Sequence, residues 1–560
     1  MTDSYFSSIG KATQLIHGGQ SPDPTTGAQA VPIYQTTSYV FRDTEHAQDL
    51  FALKEPGNIY SRIMNPTVDA FEQRVALLED GVAAVATASG MSAITLSILN
   101  IASAGDEILT DSNLYGGTYN LFSQTLPKYG IEVKFVDGTD PNNFKEAITD
   151  KTKAIFAETI TNPSLNVIDI EKVADVAHEA SIPLIIDNTF ASPYGSNPIR
   201  WGADIVVHSA TKWIGGHGTT VGGVVVDGGR FDWNQEKFPG FTNPDPSYHG
   251  VRFGIDVGPA GFAIKLRVQL LRDIGPALSP QNAFQFLQGL ETLNLRVKQH
   301  ATNSLKIAEW LDQHPQVEWV NYPGLKSHPS HELANQYLID TYGSVITFGV
   351  KGDRNTGRAV IDNIELFSHV ANVGDVKSLI IHPASTTHQQ LSEEGLKSSG
   401  VTESLIRLSV GLESIDDLIQ DLDQAIAKAT YTSPTVEPTL DDAIHWVLES
   451  PFARENADIR PKSIVVYGSD EGHNCLKKIK KFGFQYTTDP ATVDTVDLAY
   501  ISDVDAVDKL PSSAKVIWLK TKQDTTTLKE QAEANGQFVV EGTCLFKKSK
   551  EVRTHPRRTS

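Results

Sequence analysis

Cysteine is nearly absent: in 560 residues only Cys475 and Cys544 occur. Two cysteines do not make a disulfide scaffold, and no Cys pair has the spacing of a zinc site. No run approaches the ~20 consecutive apolar residues that a membrane span needs. The first residues, Met1-Thr-Asp-Ser-Tyr-Phe-Ser-Ser-Ile-Gly-Lys11, lack a basic stretch followed by an apolar one, so a cytoplasmic location is expected. Basic charge is also short, with 48 Lys+Arg against 68 Asp+Glu and a net charge of -20. Nucleic acid and anionic membrane, both repelled at long range, are disfavoured as main partners.

The deficit is uneven. Residues 431–560 carry 18 Lys+Arg against 19 Asp+Glu, which leaves 30 against 49 in residues 1–430. At this break in charge lies Tyr431-Thr-Ser-Pro434-Thr-Val-Glu-Pro438, whose two prolines stop a helix and stiffen a linker at 430–440. The length allows about three or four folding units. The expected division is an N-terminal arm at 1–65, α/β domains at 66–261 and 262–429, the linker, a further domain at 441–550 and a basic tail at 551–560.

Residues 1–60, with Gly18-Gly19, Pro22, Pro24 and Pro32, show little periodicity and read as an extended arm that needs another surface to order it. Beyond residue 66, helical patterns alternate with short β-branched runs: Val82–Ala86, Glu107–Leu109, Val133–Val136, Ala154–Ala157, Pro183–Ile186, Ile205–Val207 and Gly223–Val226. That alternation is the signature of a mostly parallel sheet covered by helices. A long helical pattern at Ser279–His314, a second at Ser414–Lys428 and short strands such as Ser344–Val350 predict a separate α/β subdomain. The last segment repeats a βαβ rhythm, from Ser463-Ile-Val-Val-Tyr467 to Phe538-Val-Val540, and reads as a small Rossmann-like unit. Its one charge run, Lys477-Lys-Ile-Lys-Lys481, reads as a solvated helix face.

In a parallel sheet reactive side chains gather beyond the carboxyl ends of the strands. Here three such ends are polar, and they present Glu158, Asn162, Asp187, Ser209, Thr211 and Lys212 along one edge. A lysine among hydroxyls with a carboxylate on the next strand suits pyridoxal 5'-phosphate. The amine links to the cofactor's aldehyde, and the carboxylate keeps the pyridinium nitrogen protonated. Lys212 and Asp187 would take those roles. Ala88-Ser-Gly-Met-Ser-Ala93, opening an apolar helix, offers Ser89, Gly90 and Met91 to the phosphate, with Ser209 and Thr211 adding hydroxyls. A lone lysine after a strand is most often surface charge; it is the combination that carries the reading. Ser209-Ala-Thr-Lys212 also fits the S-x-x-K signature of serine acyl-enzymes, but no S-D-N or K-T-G accompanies it.

Over residues 8–428 the chain resembles the cystathionine/methionine metabolism group of pyridoxal phosphate enzymes, and within it the O-acetylhomoserine sulfhydrylases. The resemblance rests on Gln14-Leu-Ile-His-Gly-Gly19, Pro32-Ile-Tyr-Gln-Thr-Thr-Ser38, Tyr60-Ser-Arg-Ile-Met-Asn-Pro-Thr67, Leu114-Tyr-Gly-Gly-Thr-Tyr119, Ser209–Gly218 and Ile381-His-Pro-Ala-Ser-Thr-Thr-His388. Gly240-Phe-Thr-Asn-Pro-Asp-Pro-Ser-Tyr-His-Gly250 looks like the insert that sets sulfhydrylases apart. The resemblance implies the type I fold of pyridoxal phosphate-dependent transferases. It implies that Tyr115 stacks on the cofactor and assists elimination, and that Tyr60 and Arg62 reach the phosphate of the neighbouring subunit. Asn162, Ser378 and Arg407 would surround the substrate α-carboxylate, and the assembly would be a homotetramer of dimers with shared sites. Arg407, a charge inside the apolar strand Leu405-Ile-Arg-Leu-Ser-Val410, suits a bidentate carboxylate; a buried salt bridge is the other reading.

The implied reaction is γ-replacement, O-acetylhomoserine plus sulfide to homocysteine plus acetate, with O-acetylserine to cysteine as a second activity. Elimination of the cystathionine γ-lyase or methionine γ-lyase type is the alternative within the fold. A cofactor-binding regulator is the alternative outside it. Residues 440–548 resemble, with an eroded pattern, CoA-binding Rossmann-like proteins, through Ser463–Ser469, Lys515–Leu519 and Asn535–Leu545, which implies CoA or acyl-CoA as a ligand.

Overall fold

A computed structural model describes residues 8–383, 386, 404–430, 439–450, 452–455, 458–468 and 474–554. The linker at 431–438, four residues of the Ile381–His388 motif and the end of the basic tail at 555–560 lie outside the described residues. The chain divides into two compact units, Met1–Thr430 and Tyr431–Ser560.

The first unit is built on seven strands: β1 (Ala83–Thr87), β2 (Glu107–Asp111), β3 (Glu132–Val136), β4 (Thr152–Glu158), β5 (Leu184–Asp187), β6 (Ile205–His208) and β7 (Gly223–Asp227). Each coincides with one of the apolar runs. Their order is β1-β7-β6-β5-β4-β2-β3. β7 runs antiparallel to both neighbours, while the other pairs are parallel. Because side chains alternate across a strand, one strand feeds two cores. Ile155 and Ala157 join the apolar cluster on one face, with Leu184, Ile186 and Val206. Ala154 and Phe156 join the cluster on the other, with Ile185, Ile205 and Val207. Both faces are dry, which is why these strands read as continuous apolar runs.

The second half of this unit carries β8 (Val317–Asn321), β9 (Val345–Val350), β10 (Ser368–His369), β11 (Leu379–Ile381) and β12 (Leu405–Ser409), ordered β10-β11-β12-β9-β8. Their core packs with helix Ile415–Thr430 through Leu418, Leu422, Ala425 and Ile426. The single helical pattern expected at Ser279–His314 is two helices, Pro280–Glu291 and Leu293–Asp312. The break has a cause: the Gly289 carbonyl is taken by Arg296 Nη2 at 2.6 Å, where an unbroken helix would supply a backbone N–H. The arm is not wholly extended, since helices form at Lys11–His17 and Thr44–Phe51.

The second unit holds an all-parallel sheet of β15 (Ile464–Tyr467), β16 (Tyr486–Thr487), β17 (Leu498–Ile501), β18 (Val516–Leu519) and β19 (Phe538–Glu541), ordered β16-β15-β17-β18-β19. A short antiparallel pair, β13 (Phe452–Glu455) and β14 (Asp458–Pro461), precedes it. Helices Leu440–Glu449 and Leu545–Thr554 close one face of its core through Val447, Leu448, Leu545 and Val552. The last helix runs through the start of the expected basic tail. Ile479 is buried while Lys477, Lys478 and Lys480 are exposed, the solvated face expected of that run. Among the described residues no helix is long and apolar enough to cross a membrane.

Candidate active site

β4, β5 and β6 end side by side, and their register sets Glu158 opposite Asp187. Asp187 Oδ1 accepts from the Thr189 backbone N–H at 2.9 Å and from the Thr189 hydroxyl. That hydroxyl accepts in turn from the Ser209 backbone N–H at 2.9 Å, so Thr189 ties the aspartate to the lysine-bearing loop. Asp187 Oδ2 accepts no hydrogen bond among the described residues. Burial raises the Asp187 carboxyl pKa, and the bonds from Thr189 and the nearby His208 oppose it.

The loop after β6 crosses to the antiparallel β7 and carries Lys212. Its Nζ donates to Asn372 Oδ1 at 2.5 Å, and burial, with Arg407 adding to it, holds its pKa down to about 8. No carboxylate pairs with it among the described residues. The loop is clamped from behind by Arg296, which donates to the Trp213 carbonyl at 2.7 Å and the Ile214 carbonyl at 3.4 Å. Gly216 is required there, because its φ is +73° and a Cβ would lie 2.3 Å from Arg296 Nη1.

The start of helix Gly90–Leu99 meets the same loop. Ser89 caps it by accepting from the Ser92 backbone N–H at 3.1 Å. At Gly90 a Cβ would sit 2.6 Å from Ser209 Cβ, so only glycine lets the helix start and Ser209 approach this closely. Thr211 Oγ1 donates to the Gly222 carbonyl at 3.2 Å, and Met91 is half-buried on the opening turn.

On the opposite side, Arg407 on β12 is buried, and its Nη1 donates to Asn162 Oδ1 at 3.2 Å. Among the described residues it has no ion pair, and its hydrogen-bond partner there is a neutral amide. Desolvation lowers its pKa to about 10, and Tyr115 lies within electrostatic reach. Tyr115 is 49 % exposed, and its backbone N–H donates to Glu158 Oε1 at 2.7 Å. A Cβ on Gly117 would fall 2.5 Å from Tyr115 Cε1, so the ring lies over that glycine.

Lys212, Asp187, Thr211, Ser209, Gly90 and Ser89 are thus linked by neighbouring loops, with Arg407, Asn162 and Tyr115 across from them. Ser378 is placed differently. Its hydroxyl donates to Glu413 Oε2 at 2.8 Å and accepts from the Gly411 N–H at 2.8 Å, and its N–H donates to Glu413 Oε1 at 2.6 Å. Its polar groups are committed to holding the segment before β11, which pairs with β12 through Ile381 and Arg407. Tyr60 and Arg62 stack on each other on the arm, with the guanidinium 5.3 Å from the ring centre. Sequence reasoning missed Asn372, 160 positions from Lys212, for which the sequence carries no signal. Arg296 did leave one, a cation on the apolar stripe Leu293, Val297, Ile307, Leu311.

The model of the Cys/Met metabolism PLP-dependent enzyme family matches residues 12–427. The chain belongs to that family. Among its relatives, the O-acetyl-L-homoserine sulfhydrylase of Leptospira meyeri is 56 % identical over 423 residues, covering 74 % of this chain and 96 % of the relative. The homocysteine synthase of Schizosaccharomyces pombe is 54 % identical over 420 residues, 74 % of this chain and 98 % of the relative. A solved Campylobacter jejuni chain assigned as an O-acetylhomoserine (thiol)-lyase, carrying N'-pyridoxyl-lysine-5'-monophosphate, is 43 % identical with TM-score 0.73 over 75 % of this chain and all of that one.

Pyridoxal phosphate is therefore the cofactor, and the residues fit it. The Gly90–Ser209 approach leaves a helix start and hydroxyls for a phosphate. Lys212 is a half-buried amine without a carboxylate partner among the described residues, and Asp187 has one oxygen that accepts no hydrogen bond among them, which would suit a ring nitrogen.

Proposed function

We propose that the first unit catalyses γ-replacement on O-acetylhomoserine: the Cγ–O bond to acetate breaks, a Cγ–S bond to sulfide forms, and homocysteine and acetate leave. The observation that carries it is a buried Arg407 with no acidic partner among the described residues, near a lysine whose pKa is held down to about 8. The names and identities of the relatives support the same substrate pair.

Arg407 and Asn162 bind the α-carboxylate, because an unpaired guanidinium in a desolvated strand gains most from a carboxylate. Lys212 holds the cofactor and, once released by the substrate amine, moves protons at Cα and Cβ through Nζ. Bound pyridoxal phosphate supplies the electron sink for charge developing at Cα. Asp187 holds the ring nitrogen's proton, and Ser89, Gly90, Met91, Ser209 and Thr211 hold the phosphate. Tyr115 covers the ring face and assists departure of the leaving group. Ser378 shapes the carboxylate pocket through its hold on β11.

The site is completed by a second copy, whose Tyr60 and Arg62 reach the phosphate, in a tetramer of dimers. What supports this is an arm that leaves Val40 98 % and Phe51 61 % exposed. A cytoplasmic location belongs to the same reading.

The second unit is assigned a Rossmann-like fold on its strand order, which reverses at β15. A CoA-type ligand is the weaker part of that assignment. Asp503 and Asp505, bridged by Gln523 at 3.0 and 3.3 Å, stand just past the carboxyl end of β17, and an acidic edge repels a pyrophosphate. Calorimetry of the full chain with acetyl-CoA decides it, with absence of heat at millimolar ligand ending the CoA reading.

The deciding experiment for the enzyme compares O-acetylhomoserine, O-acetylserine, O-succinylhomoserine, cystathionine and methionine, each with and without sulfide. Homocysteine formed only from O-acetylhomoserine with sulfide is expected; oxobutyrate released without sulfide points to a lyase. Lys212→Ala should lose both turnover and the visible cofactor band.

A further inference from the structure

Glu158 sits at the centre of the site, yet binding and proton transfer as derived above do not use it. It is 5 % exposed, at the end of β4. Its Oε1 takes the Tyr115 backbone N–H at 2.7 Å, and the Asn162 N–H also acts on it. One carboxyl group thus touches the loop that carries the cofactor-covering ring and the loop that carries the carboxylate-binding amide. Its register partner is Asp187.

We propose that Glu158 is a positioning residue for this site, a neutral carboxylic acid whose carbonyl oxygen fixes Tyr115 and whose retained proton keeps a second negative charge from standing directly opposite Asp187.

Two carboxylates facing each other on adjacent strands, one buried and one half-buried, cannot both ionise cheaply. Of the pair, Asp187 has the groups that favour its anion: two donors from Thr189 and the nearby His208. Glu158 has no cation beside it among the described residues. The charged groups facing it are Asp187 from β5 and Asp111 from the end of β2, both acidic, while Arg407 from β12 lies within reach of Tyr115. Burial and the Asp187 charge push the Glu158 carboxyl well above the usual range, and burial holds Asp111 at about 6. A backbone N–H bond needs only a carbonyl oxygen, so a neutral Glu158 still holds Tyr115 and does not draw the ring-nitrogen proton away from Asp187.

The inference rests on the reading of Asp187 and Tyr115 given above, and its test separates the two. On the cofactor-free full chain, hydrogen exchange is followed at the peptide containing the Tyr115 amide in wild type, Glu158→Gln and Glu158→Ala. Protection should persist in the glutamine variant, which keeps a carbonyl oxygen, and fall in the alanine variant. Infrared difference spectra at neutral pH should show a carboxylic-acid carbonyl band in wild type that Glu158→Gln lacks. In the holoenzyme, Glu158→Ala should lower kcat about 100-fold with KM little changed, the cost of a misplaced group in a site of this kind. Glu158→Gln should rescue most of that loss and leave the pH profile in place. A wild-type spectrum without the band, or a glutamine variant as impaired as alanine, overturns the proposal. So does an alanine variant that protects Tyr115 and turns over normally. If the chain does not use O-acetylhomoserine, the reaction assignment fails while the exchange and infrared results still decide Glu158.

Discussion

Arg407 Nη1 donates to Asn162 Oδ1 at 3.2 Å, joining a strand of the small sheet to a loop of the large one across 245 positions. The bond is from a cation to a neutral amide. A buried cation whose hydrogen-bond partner among the described residues is a neutral amide is suited to an anionic ligand, which is the role proposed for it.

Removing the guanidinium should therefore damage binding more than chemistry. Arg407→Ala is expected to lower kcat/KM by about 100-fold or more, the range for truncating one partner of a buried charged hydrogen bond. Most of the loss should appear in KM. Arg407→Lys should recover only part of it, because one ammonium cannot make two parallel bonds. Steady-state kinetics against O-acetylhomoserine measures both.

Cofactor capture should follow the state of Lys212. Only the neutral amine attacks an aldehyde, and its ammonium form titrates at about 8 rather than 10.5. The uptake rate by cofactor-free protein should rise about tenfold per pH unit on the acid side of that value and level off above it. An exposed lysine would keep rising to beyond pH 10. Stopped-flow growth of the visible band, read from pH 6 to 9.5, distinguishes them.

At Gly90 a single methyl group is enough. Gly90→Ala places a carbon 2.6 Å from Ser209 Cβ and 2.9 Å from its Cα, so the helix start and the loop must part. Overpacking of this kind costs about 1–3 kcal/mol. It should appear as a cofactor dissociation constant raised by roughly tenfold or more, with the circular dichroism of the fold unchanged.

Arg296 holds the turn beyond Lys212 by bonding the carbonyls of Trp213, Ile214 and Gly289. Arg296→Met leaves those buried acceptors without donors. A loss of about 3 kcal/mol is expected, since each unsatisfied buried group costs about 1–3 kcal/mol. The urea midpoint of the cofactor-free protein should fall, and cofactor binding should weaken with it.

The sequence by itself settled the elements that depend on short-range pattern. Apolar runs bounded by turns marked all seven strands of the large sheet, and the polar residues ending β4, β5 and β6 marked the edge where Asp187 and Lys212 stand. Periodicity cannot tell strand direction, so the antiparallel β7 and the strand order came only from the fold. Nor can it see that Arg296 would cut one helical pattern into two by taking the Gly289 carbonyl. Ser378 illustrates the same limit. Its place in a motif is local, but the commitment of its hydroxyl to Glu413, 35 positions on, is a tertiary fact. The charges of Glu158 and Asp187 were decided in the same way. Each is an ordinary acid in the sequence, and only the pairing of β4 with β5, which sets a buried Glu158 against a half-buried Asp187, makes them compete for one proton.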